Sequence, residues 1–127
     1  MSVVLMFDNE PDLDEIYRLT FEDAGHSFIV TDNIDKAFKM CRGGGINLVI
    51  SNMLLPTDPK INESLGFILL KSIKTLPGTR NIPTVILSNL STAEKQNKAA
   101  RLGANTFLIK SNYTPKQILK KVEKFLK

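Results

Sequence analysis

The chain has one cysteine in 127 residues, Cys41, so no internal disulfide can staple it. It has one histidine, His26, and so lacks the Cys/His spacing of a zinc site. No stretch approaches the roughly 20 consecutive apolar residues of a membrane-spanning helix. The first apolar run, Val3–Phe7, is too short for the core of a signal peptide, and no charged leader precedes it. No glycine-rich loop follows that run, which leaves nucleotide or flavin binding of the P-loop or dinucleotide kind unsupported. Gly43-Gly44-Gly45 follows a helical pattern instead and reads as a stop signal. Ser88, Asp8 and His26 do not make a hydrolase triad, because His26 falls at a helix-to-strand turn away from the strand ends, where it suits a surface or capping role. These absences predict a single cytoplasmic domain over residues 1–127 that is not an enzyme.

Hydrophobic residues make up 43% of the chain and charged residues 24%, ordinary values for a globular domain with one core. Cys41 lies in a helical run and is expected to be a buried, unreactive thiol. The net charge is +4, and much of the excess comes from Lys116, Lys120, Lys121, Lys124 and Lys127. No aromatic residues interleave these lysines to stack bases, so a solvated helix face is favoured. Nucleic-acid binding through this basic last helix is the rival reading.

Short apolar or β-branched runs at Val3–Phe7, Ser27–Thr31, Asn47–Ser51, Thr84–Ser88 and Thr106–Ile109 have the length of strands. Most are continuously hydrophobic, the pattern of parallel strands covered on both faces. Helical patterns fill the gaps. Leu13, Ile16, Tyr17, Thr20, Phe21 and Ala24 share one face of a first helix, which Pro11 suits at its first turn. Ile34, Ala37, Phe38 and Cys41 mark a second, and Phe67, Leu70, Ile73 and Leu76 a third, stopped by Pro77-Gly78. Ser91 and Glu94 suggest a capping box for a fourth, which ends at Gly103. Thr114-Pro115 opens a fifth whose apolar face is Ile118, Leu119, Val122, Phe125 and Leu126. Alternating strands and helices predict a parallel five-stranded sheet in a flavodoxin-like (βα)5 three-layer sandwich, order 2-1-3-4-5. Function in such folds sits at the carboxyl ends of the strands.

That edge carries Asp8-Asn9-Glu10 after the first strand, Asn52-Met53-Leu54-Leu55-Pro56 after the third, Ser88-Asn89 after the fourth and Lys110-Ser111 after the fifth. Helix capping and turn roles explain Asn9 or Asn52 singly, but not a lysine ending the fifth strand opposite them. The set resembles the response-regulator receiver (CheY-like) family, over essentially the whole chain. Asp8 and Asn9 fall on the family's acid pair, Asn52 on the phospho-acceptor aspartate, Ser88 on the Ser/Thr, Phe107 on the switch aromatic and Lys110 on the lysine. The resemblance implies Mg²⁺ held by the acid pair, the acceptor and a backbone carbonyl, here Asp8, Asn9, Asn52 and Leu54. It implies protein partners, a sensor histidine kinase or a downstream effector, on a face of helix four, strand five and helix five that includes Lys95, Ala99, Phe107 and Tyr113. A homodimer is a further partner to consider, and no membrane is implied.

The departures bear on chemistry. An aspartate carboxylate can attack phosphorus, whereas the Asn52 amide nitrogen has its lone pair delocalised into the carbonyl and offers no such nucleophile. Asn52 admits two origins, a naturally diverged pseudo-receiver or the replacement of aspartate in an active phospho-acceptor. Asn9, Asn89 and Ser111 depart as well, which favours divergence. The Lys110–Ser111 bond, at a site where the family often has proline, is left open between cis and trans. The segment Thr57–Leu65 reads as a long loop leaning over the pocket, either a tolerated insertion or a lid. Glu10 reads as peripheral, leaving Asp8 as the retained charge beside Lys110. A charge pair near 4 Å is worth roughly 4 kcal/mol at an effective dielectric of about 20, and a dication doubles it, so two missing carboxylates forfeit attraction of that order twice. Mg²⁺ binding is therefore predicted to be weaker than millimolar; a calorimetric titration giving sub-millimolar affinity overturns this.

Overall fold

The computed structural model describes residues 2–89 and 92–126. Five strands, β1 (Val3–Phe7), β2 (Ser27–Thr31), β3 (Leu48–Asn52), β4 (Thr84–Ser88) and β5 (Thr106–Ile109), form one parallel sheet in the order β2-β1-β3-β4-β5. Five helices alternate with them: α1 (Pro11–Asp23), α2 (Ile34–Arg42), α3 (Leu65–Thr75), α4 (Ala93–Arg101) and α5 (Pro115–Val122). The expected topology holds, and β3 lies one residue later than its sequence pattern placed it. None of these helices is long and apolar enough to cross a membrane, among the described residues.

Side chains alternate across the strands and divide the core by face. Val4 and Met6, with Leu48, Ile50, Val85 and Leu87, pack against Tyr17 and Phe21 of α1 and Ile118 and Val122 of α5. Leu5, Phe7 and Val49 meet Ala37 and Cys41 of α2 and Leu69 and Ile73 of α3 on the other face. Phe67, Leu70 and Ile86 close over Ala99 of α4. Burial pushes the Cys41 thiol up to about 11, as suits an inert core residue.

Two helical faces differ from their sequence patterns. The buried stripe of α1 is Asp14, Tyr17 and Phe21, while Ile16 is 51% exposed and Leu19 55%. Thr20 is half-buried and Ala24 exposed. Leu76 lies past the end of α3 and is exposed, because the helix stops at Thr75 ahead of Pro77. The N-cap of α4 is Thr92, whose side chain accepts from the Lys95 N–H; Ser91 lies outside the described residues. Thr114 and Gln117 form a reciprocal capping box on α5. His26 is half-buried, and its backbone N–H donates to Phe21 O at 3.1 Å.

The turn into α3 is tight where it passes β3. Ser51 Oγ donates to Gly66 O at 3.1 Å, and a Cβ built on Gly66 would overlap the Asn52 carbonyl and approach Met53 Cα at 3.3 Å. Both neighbours are backbone, so neither can swing aside. Gly66→Ala is expected to destabilise the fold by about 3 kcal/mol through overpacking, read as a lower urea midpoint.

Candidate functional site at the carboxyl edge of the sheet

Register brings the edge residues together. Phe7 pairs with Ser51 on one side and Thr31 on the other, Asn52 with Leu87, and Ser88 with Ile109, so Asp8, Asn52, Ser88 and Lys110 leave the sheet at one level. All four are buried, and they line a cavity of about 260 Å³ with Glu10 and Lys95.

Lys110 is the centre of this cavity. Its Nζ lies 3.2 Å from Glu10 Oε2, 3.4 Å from Asp8 Oδ2 and 3.5 Å from Asn52 Oδ1. The Asp8 side chain is 2% exposed and the lysine 9%, so each needs the other's charge. Glu10 is half in water at 48%, and its pairing contributes less. It is nonetheless the shorter contact, so Glu10 belongs to the site and is not peripheral. The Asn52 amide is held from both ends: Nδ2 donates to Phe7 O at 3.1 Å while Oδ1 faces the ammonium.

Asp14 joins the site from beneath, and no edge motif foretold it. Its Oδ2 accepts the Glu10 N–H at 3.1 Å, fixing the first turn of α1, and its buried Oδ1 lies beside Asp8. Burial pushes the Asp14 carboxyl up to about 7, reinforced by its hydrogen bond with Asp8 and by that residue's charge; the Glu10 N–H and Lys110 pull the other way. The Asp14 carboxyl therefore keeps its proton well above the usual carboxylate range. Tyr17, fully buried below them, is pushed up to about 12 by desolvation and by Asp8, Asp14 and Glu10. The signal was an aspartate in the stripe 14, 17, 21, which turns inward at helical spacing.

The response regulator receiver domain model matches residues 4–123. This chain belongs to that family. It is 38% identical over 78 residues to the chemotaxis protein CheV1 of Helicobacter pylori, covering 61% of this chain and 24% of that protein. It is 25% identical over 122 residues to an uncharacterised 14.6 kDa protein of Leptolyngbya boryana, covering 96% of this chain and 88% of that one. The structure of CheY4 of Vibrio cholerae shares the fold, with a TM-score of 0.84, 21% identity and 99% of each chain covered. Receiver domains are signalling modules that act through protein partners.

The receiver's remaining expected site residues divide. Asn9 is exposed and lines a separate cleft of about 530 Å³ with Asp14, Arg18, Asp32 and Lys36, on the far side of Asp8. Leu54 O accepts the Leu65 N–H at 2.8 Å. Phe107 is half-buried against the Phe67 and Ala99 cluster, and Ala99 itself is fully buried, so it presents nothing on the outer face. The loop after β3 ends at Ser64, since Leu65 already belongs to α3. Its Glu63 pairs with Lys98 of α4, so the loop ties to that helix; only its ends, Met53–Leu55 and Ser64, reach the cavity. The Lys110–Ser111 bond is trans.

The donor set does not fit Mg²⁺. The ammonium already faces Asp8, Glu10 and Asn52 Oδ1, Asn9 turns to the other cleft, and Leu54 O is engaged. No three Asp, Glu, His or Cys side chains converge on a metal-sized site among the described residues. A dication would meet the lysine's charge at close range.

A pH dependence follows from Asp14. Its folded value lies above its unfolded one, so the native state holds the extra proton, and stability falls as pH rises from about 4 towards 7. Asp14→Asn is expected to flatten this limb and to stabilise the fold above pH 7 by on the order of 2 kcal/mol. Urea unfolding at pH 5 and pH 8 checks it: an unchanged pH difference in the variant refutes the assignment.

Proposed function

We propose that this receiver works by protein–protein contact and does not take phosphate on residue 52. The supporting observation is the Asn52 amide itself, which donates to Phe7 O and turns its oxygen to Lys110. An aspartate in the same rotamer would set a carboxylate oxygen against the Phe7 carbonyl, two acceptors 3.1 Å apart with no proton between them. The amide suits this place better than the acid would, which favours natural divergence over loss of an aspartate from an active phospho-acceptor.

Without an attacking carboxylate, no acyl phosphate forms at this position. The population shift that phosphate drives in a receiver, drawing in the Ser/Thr and the aromatic, has no trigger at Ser88 and Phe107. The domain then rests in one state or is biased by a partner on the face of α4, β5 and α5, where Lys95, Phe107 and Tyr113 lie. The partner is a sensor kinase or an effector. Lys110 supplies at the edge the positive charge that Mg²⁺ would otherwise bring.

The test is intact mass after incubation with a small acyl phosphate donor and Mg²⁺. The native sequence is expected to gain no phosphate at residue 52; phosphate mapped there overturns the reading. The Asn52→Asp variant reports on the rest of the pocket. A gain there means that Asp8, Ser88 and Lys110 retain their competence, and no gain means that the edge has diverged beyond one atom.

A further inference from the structure

Charge is sorted along this chain. Residues 8–23 hold seven acids, Asp8, Glu10, Asp12, Asp14, Glu15, Glu22 and Asp23, against one base, Arg18. On the surface of α1, Arg18 pairs with Glu15 and with Glu22, which leaves Asp12 and Asp23 uncompensated among the described residues. The exposed side chains of α5 include Lys116, Lys120 and Lys121 and no acid, and none of these lysines has a carboxylate partner among the described residues. The acidic helix and the basic helix are neighbours on the same face of the sheet.

The seam between them combines aliphatic side chains with charge. Ile16 and Leu19, 51% and 55% exposed, stand one turn apart on α1, and Leu19 lines a groove of about 460 Å³ with Thr20 and Asp23 of α1 and Lys116 and Leu119 of α5. Two large aliphatic side chains one turn apart, next to a groove and flanked by unpaired charge of both signs, are the composition of an interface.

We infer that this face pairs with a second copy of the chain, about a two-fold axis running along the α1–α5 seam. A two-fold contact must be self-complementary, and this face is: rotation lays acidic α1 of one copy against basic α5 of its partner, and the reverse contact forms at the same time. Leu19 and Ile16 then cover the partner's groove, while Asp23 meets lysines of the facing helix. Any face that placed α1 against α1 would set acid on acid. Two helices of 13 and 8 residues per copy make a small contact, so the dimer is expected in the micromolar range and to weaken with salt. The inference stands apart from the phosphorylation reading, since it uses no residue of the edge cavity.

Sedimentation velocity on the full chain, from about 10 to 500 μM at low and high salt, provides the test. A concentration-dependent dimer is expected, weakened at least tenfold by Leu19→Glu. Asp23→Lys and Lys116→Glu are each expected to weaken it similarly, because each sets like charges face to face. Mixing the two single variants should restore a heterodimer, since both reciprocal contacts then pair opposite charges. Circular dichroism confirms that each variant is folded; if Leu19→Glu is not, the two charge variants and their mixture carry the test alone. A monomer throughout the range overturns the inference. So does a dimer indifferent to these substitutions, or a failure of the mixture to recover association.

Discussion

One buried ammonium organises the functional edge of this receiver. Lys110 emerges from β5 into a space walled by the ends of β1, β3 and β4, where water is scarce and a lone charge would be costly. Asp8 and Glu10 answer it with carboxylates and Asn52 with a carbonyl oxygen. The strand order makes this possible. β1 sits between β2 and β3, so the turn after β1 opens beside β3 and within reach of the lysine on β5, with β3 and β4 between. The fold brings residues 8, 52 and 110 to one point, and the charge of the last one fixes how the first two are held.

The same charge decides what the site can accommodate. A receiver edge with three carboxylates is short of positive charge, and a dication and a lysine can both be accepted. Here one of those carboxylates is the Asn52 amide and another, at position 9, is an amide turned into a different cleft. Asp8, Glu10 and Lys110 remain, and beneath them burial holds the Asp14 carboxyl up to about 7, so it adds little charge in mildly acidic solution. Lysine supplies positive charge at this edge, set against the carboxylates of Asp8 and Glu10.

The architecture was legible because parallel strands covered on both faces must be almost wholly apolar, and five such runs separated by helical patterns leave few topologies. Asp8, Asn52, Ser88 and Lys110 could be placed for the same reason: each directly follows or ends one of those runs. What the pattern missed lay in helices and loops. Asp14 is hidden from an apolar template, which favours Ile16 as the inward residue of α1, yet the helix turns its 14, 17, 21 stripe to the sheet and leaves Ile16 half exposed. The polar group is tolerated inside because the Glu10 N–H and the Asp8 carboxyl meet it there. The role of Glu10 is hidden because reach is not a property of sequence adjacency: its longer side chain spans to Lys110 from the rim of the cavity, whereas Asn9, next to it, lines the other cleft.

Asn9, Asn52 and Asp14 belong to one shift in charge. Two positions that would carry acid at the edge carry amides, and an acid stands instead behind Asp8, where its Oδ2 accepts the Glu10 N–H. Burial and the neighbouring Asp8 both disfavour its ionised form, and Lys110 only partly offsets them. At the edge itself Lys110 faces Asp8, Glu10 and the Asn52 oxygen. On the proposed reading the edge offers phosphate no nucleophile at residue 52, and contact with partners through the outer faces of the helices takes over.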